Sequence, residues 1–437
     1  MNKVSNLRAS WTLALLTLSL IVAFTDRQAL NLVVDPIRKE IGVDDLQIGL
    51  LQGGAFAIFF AIVGLPLGRA VDIYSRKRII MAGVLIWSIA TFFGALATSY
   101  GGLFLARVFV GIGEATLLPA GTSLIADVFL PERRATAMGL FFLGTGVGSA
   151  IANIVGGILL GMIQGGAFRW VVIIHGLSAW RVLFCLISLP GFGLTLLLLT
   201  LREPARVVSA GAPRVHTLKS VLRQLFERRR ILVPLYVCLG FTALWSLAVV
   251  SWTPTLLSRV FNESSAVLGT GLGVSGFIGG LVGVLTAGPF GDWLASRDGV
   301  RGRLIATVIA TALGIPFALL GSTRSPEAIT VMFGLMCATT SGAGALAATT
   351  IQDAVTSEMR GVATAIISVF TTVIGLSLGP WLVGLLTEYV FRNPLALGLS
   401  ITCVAFPCAI AAALALLPAL CQAGANVGPA APNVVGS

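Results

Sequence analysis

Apolar residues run through the chain in blocks too long for a soluble core. Stretches at roughly 11–34, 47–68, 79–98, 102–129, 136–162, 180–201, 232–258, 266–289, 303–321, 327–352, 361–387 and 393–419 each approach the ~20 apolar positions that cross a bilayer as helix. Their hydrophobicity is continuous, which argues for helices and against a β-barrel. The loops between them are short, with one exception. Residues 202–231 begin with Pro, Gly and Ser and end in an amphipathic basic stretch from Thr217 to Arg230. They read as a linker carrying a helix on the membrane surface. The Gly-, Ala-, Pro- and Asn-rich tail reads as disordered. The expected organisation is an N-terminal six-helix bundle over 1–201, the linker over 202–231, a C-terminal six-helix bundle over 232–421 and the tail over 422–437.

Composition agrees with an all-α polytopic membrane protein. Of 437 residues, 56% are hydrophobic and 11% are charged, against about 25% charged in soluble domains. The 51 glycines suit close helix approach. A net charge of +11 would suggest nucleic acid in a soluble protein. Here 20 of the 29 Lys and Arg residues fall in loops on the side of the termini and seven on the other side. The positive-inside rule makes the termini cytoplasmic and accounts for the charge without nucleic acid. The first apolar run is too long for a signal-peptide core. The six cysteines lack metal-ligand spacing, and no disulfide is expected. With His175 and His216 the only histidines, and no Gly-x4-Gly-Lys-Ser/Thr loop, metal, His-based catalysis and ATP have little to work with.

Two landmarks recur. Gly68-x-x-x-Asp72 returns as Gly288-x-x-x-Asp292. Asp127, Glu132 and Arg134 return as Asp353, Glu358 and Arg360, at nearly the same offset along the chain. The chain therefore reads as two pseudo-symmetric halves. Against this background four charges stand out. Asp26 and Arg27 lie inside the first apolar run, Arg107 and Glu114 inside the fourth. A charge near the bilayer centre costs at least ~2.5–3.5 kcal/mol, and such residues usually carry function. Arg107 and Glu114 are two helical turns apart and share a face; a static pair between them is the plainer alternative. The four sum to zero, so a paired resting state exists.

At these residues the chain resembles a known family. Gly68-x-x-x-Asp72-x-x-Ser75-Arg76-Lys77-Arg78 is similar to the best-known loop motif of the major facilitator superfamily, and Arg107-x-x-x-Gly111-x-Gly113-Glu114-Ala115 to its fourth-helix motif. The runs LPLGRAVD, WSIAT and LARVFVGIGEATLLPAGTSLIAD, with Trp180-Arg181 and Arg202-Glu203-Pro204, resemble the spinster-like branch. The likeness is stronger over the N-terminal half than over 232–419. It implies twelve helices in two bundles, alternating access, and cargo of sphingolipid or lysophospholipid type. Other branches move sugars, organic anions or drugs. One departure weakens the second loop motif: Asp292 is followed by Arg297-Asp298-Gly299, with basic residues scattered to Arg301 and Arg303.

The site expected from residues and resemblance together has three parts. Glu114 and Asp26 would take the coupling proton, with Arg27 and Arg107 as switching partners, because a carboxylate in a dry cavity is poised between burial and a neighbouring cation. Gly68, Asp72, Arg76, Arg78, Asp127, Glu132, Arg134 and Asp292 would latch the cytoplasmic side; the bland reading of such charges, Lys77 above all, is topology alone. Arg27, Glu114, Asn153, Phe241, Trp245, Trp252 and Thr340 would face cargo, with packing or lipid contact the alternative for the aromatics and an interhelical hydrogen bond for Asn153. The expected function is a proton-coupled secondary transporter, monomeric in the plasma (inner) membrane, for an amphipathic or anionic solute. It would need no cofactor beyond protons and no metal. A multidrug or other small-solute transporter is the alternative, and a transporter-like sensor stays open. A channel is disfavoured because the buried charges occupy one half only.

Overall fold

The computed structural model describes residues 6–167, 176–204, 218–355 and 359–425. Thr217, Glu358, both histidines and the last twelve residues of the tail lie outside them. The described chain is helical throughout, with spans α1 (Asn6–Ala29), α2 (Ala55–Ile73), α3 (Arg76–Ala95), α4 (Tyr100–Val128), α5 (Pro131–Gln164), α6 (Ala179–Leu198) and α7 (Arg229–Phe261). Next comes one apolar helical segment, Ser265–Ser322, 58 residues long. It breaks at Asp298 (φ −125°) and Gly299 (φ 57°, ψ −133°), a backbone that suits glycine. The break divides it into α8 and α9. Then follow α10 (Pro326–Ala354), α11 (residues 360–390) and α12 (Leu397–Leu414). Among the described residues, eleven continuous segments thus hold twelve spans.

Serines start several of these helices. Ser75, Ser99, Ser264 and Ser325 each accept a backbone N–H three residues on. A short helix not separated in the sequence reading, Val34–Ile41, follows α1 and closes on Gly42 at φ 76°. Asp44 then caps the helix Asp45–Gly49 that leads into α2 through a reciprocal bond with Gln47.

The two six-helix halves meet along small-residue seams, as expected where lipid offers no hydrophobic drive and close backbone approach supplies the packing. Between α5 and α8, Gly269 lies against the carbonyl of Asn153. Between α2 and α11, two π-helical stretches face each other, Leu50–Gly54 and Phe370–Leu378, with Gly53 against the Leu376 carbonyl where a Cβ would stand.

The halves are fastened at the side opposite the termini, here called the far side. There Arg259 at the end of α7 grips Asp35 (2.6 and 2.9 Å) and Asp45 (2.7 and 3.0 Å). Arg38 reaches Glu388 at 3.6 Å, and the Asp45 amide donates to the same carboxylate at 3.3 Å. One large apolar core, including Ile37, Ile48, Trp180, Trp245, Trp252 and Leu256, joins both halves; a second core belongs almost wholly to the N-terminal half and a third to the C-terminal half.

Candidate functional site

Four helices bring the buried charges together. Asp26 and Arg27 occupy the last turns of α1, where the helix dipole favours a cation. α1 then tightens into a 3-10 turn, Leu30–Leu32. Glu114 ends the first segment of α4, which breaks before Leu117. Arg27 Nη2 donates to Glu114 Oε2 in a short ion pair. The Arg27 guanidinium lies 4.1 Å from the Phe56 ring centroid and 4.4 Å from that of Phe24. Asp26 accepts from Thr91 Oγ1 of α3 at 2.6 Å. Arg107 Nη2 reaches the Arg27 carbonyl at 3.5 Å. Glu114 thus pairs across to α1, and the within-helix pair with Arg107 does not form. The Arg27 side chain keeps 19% of its surface accessible, while Glu114 keeps 2%. Glu114 Oε1, Arg27 Nε and Arg107 Nε are buried without a protein partner. Such unpaired groups cost about 1–3 kcal/mol each, so the cluster holds spare capacity for a proton or a polar ligand.

On the terminal side Arg76 is the hub. It is 2% exposed. It pairs with Asp127 in a short contact, meets Glu203 at 3.1 Å, and also binds Ser123 Oγ (3.1 Å) and the Pro204 carbonyl (3.3 Å). Glu203 in turn accepts from Ser75 Oγ (2.5 Å) and the backbone amides of Arg76 (2.8 Å) and Lys77 (3.4 Å), an anion at the start of α3. Burial pushes its carboxyl up, but these donors outweigh it and hold Glu203 below the usual carboxylate range. Lys77 Nζ caps the Leu199 carbonyl at 2.6 Å, and Arg134 binds the Ala126 carbonyl at 2.7 Å. Arg78 is exposed, and Gly68 has open space where a Cβ would stand. The side chains of Asp72 and Glu132 lie outside the described residues.

The second half repeats the device with another residue. Arg303 pairs with Asp353 in a short contact and with Asp292 at 2.8 Å. The offset that carries Asp127 to Asp353 carries Arg76 to within one position of Arg303. The scattered basic residues therefore leave a working arginine, although Asp292 is 73% exposed.

Most of the other expected cavity residues are placed elsewhere. Asn153 sits in the α5–α8 seam and donates to the Ser149 carbonyl of its own helix at 2.9 Å. Trp245 and Trp252 are fully buried in the far-side core, Trp252 donating to the Pro380 carbonyl at 2.9 Å. Both pack as core residues, Trp245 against Gly314 of its own half. Thr340 is half-buried and donates back to the Met336 carbonyl at 2.8 Å. Phe241 is half-buried against the C-terminal core. Only Arg27 and Glu114 of that set come together. Sequence reasoning missed Glu203 as a partner, the Arg259 clamp, and Thr91. Their partners are distant in the chain, and no local spacing marks them.

Residues 16–380 match the profile of the family described as Major Facilitator Superfamily. The chain belongs to this superfamily. It is 26% identical over 367 residues to an MFS-type efflux pump of Mycolicibacterium smegmatis, covering 84% of this chain and 81% of that one. It is 24% identical over 402 residues to the protein spinster of Drosophila melanogaster, covering 88% of this chain but 63% of the fly protein. Its structure matches that of a bacterial homolog of the human lysosomal transporter Spinster in an inward-facing, unoccupied conformation. That match has a TM-score of 0.74 at 25% identity and covers 97% of this chain and 96% of the other. The chain is thus a spinster-like member of a superfamily of membrane transporters, with no enzymatic role implied.

Proposed function

We propose that the protein is a proton-coupled secondary transporter moving an amphipathic, lysolipid- or sphingolipid-like or organic-anion cargo by alternating access. The observation that carries this is the Arg27–Glu114 pair inside the membrane, with one carboxylate oxygen left unpaired. Protonation at Glu114 replaces an ion pair by a neutral acid and frees the guanidinium. Arg27 can then take an anionic headgroup with its planar fork, while Asp26 keeps Thr91 and the neighbourhood of Arg107. Deprotonation restores the pair and expels the anion. The proton is exchanged at the carboxylates, Glu114 and Asp26.

The positive-inside bias assigns the terminal side to the cytoplasm. On that assignment the far side is external, and its ion pairs hold an inward-facing state. Arg76 with Asp127 and Glu203, and Arg303 with Asp292 and Asp353, would then be the parts of the cytoplasmic latch that survive within each half when the latch is open. The domain limits at 201, 231 and 421, a monomer, and an inner or plasma membrane location belong to the same reading. The efflux-pump relative favours a second reading of the cargo, a drug or other small organic solute carried by the same cycle.

A thermal-shift screen of lysolipids, sphingoid phosphates and organic anions at acid and neutral pH separates these. Selective, pH-dependent stabilisation by single-chain anionic lipids is expected. Stabilisation by neutral drugs alone would favour the second reading.

A further inference from the structure

Beyond the charge cluster, a chain of side-chain amides crosses from one half to the other. Arg107 touches the Arg27 carbonyl, and the next residue, Gln28, accepts from Asn31 Nδ2 at 2.7 Å. Asn31 Oδ1 accepts from Gln52 Nε2 at 3.2 Å, and the same nitrogen donates to the Ser251 carbonyl of α7 at 3.0 Å. The two N–H donors of one amide are therefore divided between the halves. Asn31 and Gln52 are each 6% exposed, and Gln52 Oε1 is buried without a protein partner. Gln52 stands in the π-turn that leads into α2, next to Gly53 where that turn meets α11. π-turns recur at functional positions because they displace one side chain from the helical register.

An apolar residue would fill this seam at lower cost than a half-satisfied amide. The amide makes sense as a link that holds only in one arrangement. Its bond to Ser251 exists only while α2 and α7 are together, that is, with the far side closed. Its bond to Asn31 depends on the 3-10 turn that continues directly from Asp26 and Arg27.

We propose that Gln52 is a positioning residue that ties far-side closure to the state of the Arg27–Glu114 cluster. This rests on the proton-coupling reading above. When Arg27 leaves Glu114, the end of α1 is released from one anchor, Asn31 moves with it, and Gln52 loses the partner that aims it at Ser251. The far side then opens more readily.

The test is a far-side distance distribution from spin labels at the exposed positions Lys39 and Arg324. The full chain sits in lipid nanodiscs, the exposed cysteines Cys403 and Cys421 are replaced by serine, and spectra are taken at acid and alkaline pH. The wild type should change its open-to-closed ratio with pH, and Glu114→Gln should abolish that change. Gln52→Leu removes both donors while keeping the side chain's bulk, and should shrink the pH response at least about fivefold, the lower range of allosteric coupling. Asn31→Leu breaks the chain one link earlier and should do the same. The double variant should lose no more than either alone, as expected for one linked unit. Single variants that respond to pH like the wild type would overturn the role of Gln52 and leave the proton reading standing. A wild type without any pH response would overturn the proton reading, and this proposal with it.

Discussion

Arg27 makes contacts that a lysine cannot copy. Its planar guanidinium faces the Phe24 and Phe56 rings, and its fork suits both Glu114 and an anionic headgroup. Arg27→Lys keeps the charge but loses the stacking and the fork. A loss of about 1–2 kcal/mol, roughly tenfold in affinity, is expected for an anionic cargo. Calorimetric titration against the best ligand of the screen checks this; unchanged affinity would remove Arg27 from the binding surface. Glu203 offers a separate test on the terminal side. Its folded-state carboxyl is held below its ordinary value. Its stabilising contribution is therefore complete above the unfolded carboxylate pKa and is lost as pH falls through the folded value. Glu203→Gln should be less stable than the wild type at neutral pH, and the gap between their unfolding temperatures should narrow on acidification. A gap independent of pH would contradict the assignment.

Among the elements, the short helices before α2 are fastened on the far side to the ends of α7 and α11 by ion pairs. Asp45 has no accessible side-chain surface and depends on Arg259 and Arg38 for compensation. Arg259→Gln removes the stronger partner, and breaking a buried pair costs about 3–5 kcal/mol. Because the lost contacts exist only with the far side closed, the Lys39–Arg324 label distances should shift toward the open population. Distances identical to the wild type would reduce the clamp to local packing. Much at this scale was legible beforehand. Continuous apolar runs of bilayer length locate all twelve spans, and Gly68-x-x-x-Asp72 with its echo at Gly288 reveals the duplication. The π-turns at Leu50–Gly54 and Phe370–Leu378 were not legible, because register slips depend on what the helix meets across the seam. Nor was the pairing of Arg27 over Arg107 with Glu114: helical spacing brings Arg107 to the same face, but only the packing of α1 on α4 decides which guanidinium arrives. Trp245 and Trp252 misled for a related reason. An aromatic ring in an apolar span can face cargo, lipid or a neighbouring helix, and only the packing decides which; here both rings are in the core.

For the whole molecule, the duplication and its asymmetry set the division of labour. Both halves keep a terminal-side arginine between carboxylates, Arg76 with Asp127 and Glu203, Arg303 with Asp292 and Asp353. The intramembrane charges do not repeat. The offset that carries Asp127 to Asp353 carries Arg107 to Phe333 and Glu114 to Thr340, neither of them charged. In the transport cycle proposed above, the half with these charges would carry the coupling, and the other would supply an apolar wall to rock against. This division is tested most directly in proteoliposomes, by comparing cargo accumulation driven by an imposed pH gradient with cargo exchange at equal pH. The wild type should do both. Glu114→Gln should keep exchange, which needs only binding and rocking, and lose accumulation. A Glu114→Gln protein that still concentrates its cargo along the pH gradient would contradict the assignment of the coupling proton to Glu114.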